Sequence, residues 1–134
     1  MKTVITFGTF DLLHVGHIRI LERAKSQGDR LVVGVSSDRL NFKKKGKYPV
    51  YSEVERMEII RSIGVVDEVF LEESLEKKLD YVKQYGADIL IMGKDWSGKF
   101  DFCGDNCQVK YLDRTPSIST TEIVEKIIYD NLKQ

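Results

Sequence analysis

The sequence predicts an α/β fold: a single domain, residues 1–134, built on a doubly wound parallel sheet of about five strands. Three observations predict it. Short apolar runs rich in Val and Ile alternate along the chain with longer segments of helical period. Several of those runs are apolar at every residue rather than at every second one, which suits strands covered on both faces. At 134 residues the chain is also large enough for a real core and too short for two ordinary domains.

The elements follow in order. Val4-Ile5-Thr6-Phe7 is the first strand, and after the loop that begins at Gly8 an amphipathic helix carries Ile20, Leu21 and Ala24. Arg30 to Val35 is the second strand. Ser52-Glu53-Val54-Glu55 is a capping box opening a helix whose apolar positions are Met57, Ile59, Ile60 and Ile63. Asp67 to Leu71 reads as a short strand, and Leu75 to Tyr85 as a helix stopped by Gly86. Asp88 to Met92 and Val109 to Leu112 complete the strands. Ser119-Thr120-Thr121-Glu122 is a second capping box, opening a helix to about Leu132, with Ile118 set to pack on Ile123 as a hydrophobic staple. This order is Rossmann-like, and such sheets hold ligands beyond the carboxyl ends of their strands.

Composition narrows the function. The 21 basic and 21 acidic side chains cancel, so no global field favours nucleic acid or an anionic membrane surface. No apolar run approaches the ~20 residues of a spanning helix, and Met1-Lys2-Thr3-Val4-Ile5 passes directly into a strand, without a signal-peptide pattern. Cys103 and Cys107 offer no disulfide framework and are expected as two reduced thiols. The expectation is a cytoplasmic protein whose anionic ligands are held by local arrangements.

The most informative stretch is Gly8-Thr9-Phe10-Asp11-Leu12-Leu13-His14-Val15-Gly16-His17. It places the chain's two histidines, three apart, where a loop feeds into a helix. Unpaired N–H groups at a helix start favour anions, and an imaidazole pair there could neutralise charge growing on a phosphate. The same spacing occurs in metal sites and in ordinary polar helix starts, but zinc takes three or four protein ligands and the cysteines lie far off in sequence. Near the end of the chain, Arg114 stands beside a helix start crowded with hydroxyls, which suits a polyphosphate clamp, although Ser119 is equally explained as a helix cap. Phe42-Lys43-Lys44-Lys45-Gly46-Lys47 reads either as a solvated loop or as one that closes over an anion. Gly93-Lys94-Asp95-Trp96 follows a strand, with Asp95 able to accept from nucleoside hydroxyl or amino groups and Trp96 able to stack or to anchor the loop.

Gly8-Thr9-Phe10-Asp11 followed by His14-Val15-Gly16-His17 resembles the HxGH signature of a nucleotidyltransferase superfamily. Arg114-Thr115 followed by Ile118-Ser119-Thr120-Thr121 resembles the RTxxISTT element of its cytidylyltransferase branch. The similarity runs over nearly the whole chain and extends to bacterial glycerol-3-phosphate cytidylyltransferases. It implies that CTP and a small alcohol phosphate, glycerol 3-phosphate first among them, give a CDP-alcohol and pyrophosphate for cell-wall or surface-polysaccharide precursors such as teichoic acid or capsule. By the same resemblance His14, His17, Lys44, Arg114, Ser119 and Thr120 act on the phosphates. Gly8, Thr9, Phe10, Asp11, Gly93, Asp95, Thr115 and Ile118 then bind the nucleotide. Mg²⁺ is implied with the triphosphate rather than in a protein site, Asp11 making either a metal or a hydrogen-bond contact, and the assembly implied is a homodimer. Open alternatives are ATP in place of CTP, another acceptor (phosphocholine, phosphoethanolamine, another polyol or sugar phosphate, FMN), or a non-catalytic nucleotide-binding subunit. Two positions depart from the pattern: Leu75 stands where a tryptophan is usual and Gly64 where an arginine is, both expected near the acceptor side or its support.

Overall fold

In the computed structural model, which describes residues 1–113 and 119–132, five parallel strands form one sheet. They are β1 (Thr3–Gly8), β2 (Arg30–Ser36), β3 (Glu68–Glu72), β4 (Ile89–Gly93) and β5 (Gln108–Leu112). Their spatial order is β3-β2-β1-β4-β5. The chain therefore winds outward from β1 to one edge, returns to the centre, and winds out to the other. The reversal opens a crevice at the carboxyl ends of β1 and β4. The helices are α1 (Val15–Lys25), α2 (Asp38–Lys45), α3 (Glu53–Arg61), α4 (Lys78–Gln84) and α5 (Thr120–Leu132).

Two-residue alternation divides the core between the sheet's faces. Val4, Leu31, Val33, Val35, Ile89 and Ile91 pack on one face against Leu21 and Ala24 of α1 and Ile60 of α3. Ile5, Phe7, Val32, Leu90 and Met92 pack on the other with Phe70, Val82 of α4, Phe100 and Cys103. Burial on both faces explains why the central strands are apolar throughout.

Both expected capping segments open helices, the first with a one-sided serine cap and the second with a reciprocal box. Ser52 Oγ accepts from the Glu55 N–H before α3. Before α5, Ser119 Oγ accepts from the Glu122 N–H at 3.1 Å while Glu122 Oε2 accepts from the Ser119 N–H at 3.2 Å. Ile118, the other half of the expected staple, lies outside the described residues. α4 starts at Lys78 rather than Leu75. The lysine run is not simply a loop: Lys43, Lys44 and Lys45 form the last turn of α2, a helix that the apolar pattern does not signal. Ser37 caps its start, Gly46 ends it at φ 73°, and lysines in a last turn complement the helix dipole. Lys94–Trp96 and Asp101–Asp105 are short 3₁₀ turns, and Cys103 and Cys107 are free thiols. Among the described residues no helix is long and apolar enough to cross a membrane.

Candidate functional site

The loop between β1 and α1 has an unusual backbone. Phe10 and Leu12 hold φ of 54° and 48°, left-handed values that cost a side-chain-bearing residue about 1–3 kcal/mol each. The surroundings over-determine this shape. Both Asp11 carboxylate oxygens accept backbone N–H groups, from Val50 at 2.7 Å and Tyr51 at 3.0 Å. The buried Phe10 ring lies so close to Gly8 that an added Cβ would sit 2.9 Å from it, so a larger residue would force the ring to shift. Thr9 donates its hydroxyl to Asn41 Oδ1 at 2.7 Å. Below them Arg56, wholly buried, donates to the carbonyls of Tyr51, Thr9 and Ser36 and pairs with Asp38 at 2.7 Å. One guanidinium thus joins the first loop, the end of β2 and the segment before α3.

The two histidines cap α1 with each other. His14 Nδ1 accepts from the Gly16 N–H at 3.0 Å, and His17 Nδ1 accepts from the His14 N–H at 3.2 Å. This is the reciprocal pattern of a capping box, with imidazoles in place of hydroxyl and carboxylate. Because each Nδ1 accepts, the ring proton of the neutral form belongs on Nε2. The rings lie 3.9 Å apart, and Phe10 meets His17 edge-on at 5.6 Å. Burial, and next the neighbouring His14, lower the His17 pKa to about 4 against a weaker upward pull from Asp11. At neutral pH His17 is therefore an uncharged N–H donor.

A cavity of about 730 Å³ opens at the carboxyl end of the sheet. Gly8, Thr9, Asp11 and His17 line one side, Thr120, Thr121, Val124 and Glu125 of α5 another, and Tyr48, Pro49 and Val50 a third. Four lysines, Lys44, Lys45, Lys47 and Lys78, reach its remaining wall. Lys44 donates to Ser36 Oγ at 3.3 Å and stands 5.8 Å over the Trp96 ring. Lys78, 1% exposed, lies 3.7 Å over Phe7 and 4.5 Å over Phe100 and pairs with Glu72 at 2.5 Å. Burial pulls the Lys44 and Lys78 ammonium groups below the ordinary lysine value, and Glu72 pulls each back up. Converging uncharged donors and cations suit a polyanion.

Of the residues singled out in the sequence, Gly8, Thr9, Asp11, His17, Lys44 and Thr120 line this cavity. His14 adjoins it through His17, and Phe10 supports the loop from behind. Asp11 has a hydrogen-bonding task, since both its oxygens hold the 50–51 backbone. Thr120 donates to the Asp11 carbonyl at 3.1 Å, tying α5 to the first loop. Ser119 caps α5 and is not in the wall; nor are Gly93, the last residue of β4, and Asp95, in the turn that follows with Trp96. Trp96 lines the cavity and also packs on Phe100 at 5.4 Å, so it anchors its turn. Arg114, Thr115 and Ile118 lie outside the described residues. Leu75 is in the wall. The expectation for Gly64 is corrected: it sits in the turn that enters β3, at the opposite end of the sheet, because a parallel strand carries its amino end away from the ligand crevice. Arg56, Glu72 and Lys78 escape a pattern-based reading, which assigns charges to solvent. One signal was available: Arg56 lies four residues before Ile60 and Lys78 four before Val82, cations on the buried stripe of their helices.

Comparison with known proteins agrees with this geometry. Residues 5–126 match the cytidylyltransferase-like family. The chain is 51% identical over 127 residues to the glycerol-3-phosphate cytidylyltransferase of Bacillus subtilis (strain 168), covering 95% of this chain and 98% of that one. It is 46% identical to the enzyme of the same name from Staphylococcus aureus (strain NCTC 8325 / PS 47), over 95% and 96% of the two chains. Among solved structures, the lipopolysaccharide core biosynthesis protein from Thermoplasma volcanium GSS1 superposes with a TM-score of 0.72 at 30% identity, covering 88% of this chain and 99% of that one.

Proposed function

The chain belongs to the cytidylyltransferase-like family, and we propose that it transfers the cytidylyl group of CTP to glycerol 3-phosphate, giving CDP-glycerol and pyrophosphate. An oxygen of the acceptor phosphate attacks the α-phosphorus in line as the bond to pyrophosphate breaks, and no covalent enzyme intermediate forms. Charge gathers on the equatorial oxygens and the leaving group, so catalysis is mainly positioning and electrostatic stabilisation. The observation that carries this reading is the histidine pair. Reciprocal capping holds both Nδ1 atoms as acceptors, leaving Nε2–H donors set in a rigid helix start at a cavity lined by lysines.

In this reading His14 and His17 donate to the CTP phosphates and Lys44 bridges the attacking and reacting phosphates. Lys78 faces the acceptor phosphate. Arg114 with Ser119 and Thr120 holds the β- and γ-phosphates, and Gly93, Asp95, Thr115 and Ile118 bind the nucleotide. Mg²⁺, when bound, neutralises phosphate charge. The donor set fits an ion that arrives on the triphosphate, because Asp11 is engaged by two backbone N–H groups and Glu72 by Lys78 and Ser36. Among the described residues no group of three or more metal-binding side chains is gathered for a protein cage.

The enzyme works in the cytoplasm on precursors of a cell-wall or surface polysaccharide, as a homodimer. The dimer is supported by Ile127, Ile128, Tyr129 and Leu132 of α5, apolar side chains exposed in the single chain, and light scattering of the purified protein tests it. Pyrophosphate release across CTP, ATP and a panel of phosphorylated alcohols tests the reaction. CTP with glycerol 3-phosphate is expected to give the highest kcat/KM. A second reading, a bulkier polyol or sugar phosphate as acceptor, is favoured by Leu75 in the cavity wall, where the resemblance expects a tryptophan. Another pair ahead by about tenfold in kcat/KM overturns the assignment to glycerol 3-phosphate.

A further inference from the structure

At the deep end of the cavity one carboxylate serves two lysines. Glu72 Oε2 accepts from Lys78 Nζ at 2.5 Å. Its other oxygen, Oε1, accepts from the Ser36 hydroxyl at 3.3 Å, and Ser36 Oγ in turn accepts from Lys44 Nζ at 3.3 Å. Glu72, Ser36 and Lys78 are each 1% exposed or less, so this chain is shielded from water. A lysine in such a slot, between the faces of Phe7 and Phe100, keeps its proton only with a countercharge. Two ammonium groups against one carboxylate also leave an excess of positive charge, which an incoming phosphate would neutralise.

We propose that Glu72, acting directly on Lys78 and through Ser36 on Lys44, is the positioning residue that keeps both cations charged and aimed at the acceptor phosphate. Glu72 does not touch the reacting atoms. It sets the charge and place of groups that do. The proposal rests on the reading of this end of the cavity as the acceptor site. The other groups facing the pair are Cys103, from the 3₁₀ turn beside Lys78, and Lys45 and Arg56 near Lys44. Cys103, a thiol whose own pKa is raised by burial, cannot replace a carboxylate at neutral pH, and Lys45 and Arg56 bring more positive charge. Glu72 is thus the countercharge on which both lysines depend.

The test compares wild type, Glu72→Gln and Ser36→Ala. Steady-state kinetics with CTP and glycerol 3-phosphate are measured from pH 6 to 10, and the lysine side-chain NMR signals are titrated. In Glu72→Gln the KM for glycerol 3-phosphate is expected to rise roughly 30-fold or more, with the KM for CTP within about twofold. The alkaline limb of the acceptor kcat/KM profile and the Lys78 titration should move down together by about one pH unit or more. Ser36→Ala should give a smaller rise in the acceptor KM and leave the Lys78 titration in place. Equal losses for both substrates, or an unmoved alkaline limb and titration, would overturn the proposal. If Glu72→Gln does not fold, wild type still decides: Lys78 losing its proton below pH 7 refutes the role. Absence of turnover by wild type with glycerol 3-phosphate would refute the acceptor reading instead, and the lysine titrations would still report on Glu72.

Discussion

The two sides of the cavity are built in opposite ways. The first loop and the start of α1 are fastened by Asp11, Arg56, Thr9 and the mutual caps of two histidines, and they hold two left-handed residues in place. α5 buries none of its residues and is joined to the first loop by the Thr120 hydroxyl on the Asp11 carbonyl. Both sides line one cavity, yet only the first is preorganised by the fold. Groups that stabilise charge in a transition state are effective when they need not move, because reorganisation then costs nothing at the moment of reaction. A helix that binds and encloses a nucleotide can draw its order from the ligand or from a neighbouring chain. On the proposed function, the fastened side carries residues that set rate and α5 carries residues that set binding.

Substitutions on the fastened side should break this contrast most severely. Arg56→Ala leaves three carbonyls and Asp38 without a buried partner, and stability should fall by about 3–5 kcal/mol in urea unfolding. A loss under about 1 kcal/mol would mean that the guanidinium is not the clasp. His17→Ala should lower kcat by about 10²–10³ while far-UV circular dichroism stays native, the scale of losing one donor to a developing oxyanion. A near-native kcat would remove His17 from the chemistry.

The same residue gives a pH signature. Its folded pKa of about 4 lies below the ordinary 6.5, so between these values the unfolded chain binds the proton more readily. The stability due to keeping His17 neutral is complete above about pH 6.5 and is lost as the pH falls towards 4. Urea midpoints measured at pH 7 and pH 5 should differ less in His17→Ala than in wild type. An identical difference would show that another group is responsible.

Smaller effects sharpen the comparison. Asp11→Ala frees the Val50 and Tyr51 N–H groups and should cost about 1.5–3 kcal/mol, with faster proteolysis between Gly46 and Ser52. Unchanged cleavage there would mean that the segment is held by other contacts. Thr120→Val removes a single neutral hydrogen bond and should cost about 0.5–1.5 kcal/mol at most, with its main effect on the KM for CTP. If it instead lowers kcat as far as His17→Ala does, the two sides are not built for different tasks.

The sequence by itself determined the strands, which are apolar runs; the starts of α3 and α5, which carry serine caps; and the placing of the histidine pair on a helix start after β1. Each is a local pattern within a few residues, which is why it could be read. Tertiary structure decided the rest. Lys44 reads as part of a run that is either solvated or closes over an anion, and Ser37 and Gly46 bound the helix that carries it to the cavity. Arg56 and Lys78 read as surface charge because a buried cation is stable only with partners that sequence spacing does not reveal. Thr9 is 47 residues from Arg56, and Glu72, although only six from Lys78, belongs to a different element. The left-handed turns at Phe10 and Leu12 follow the same rule. Neither residue favours that backbone, and it persists because Asp11 is held by a segment 39 and 40 residues away. Local free energies chose the elements, while the charged groups took their places only where the closed fold removed water and supplied a countercharge.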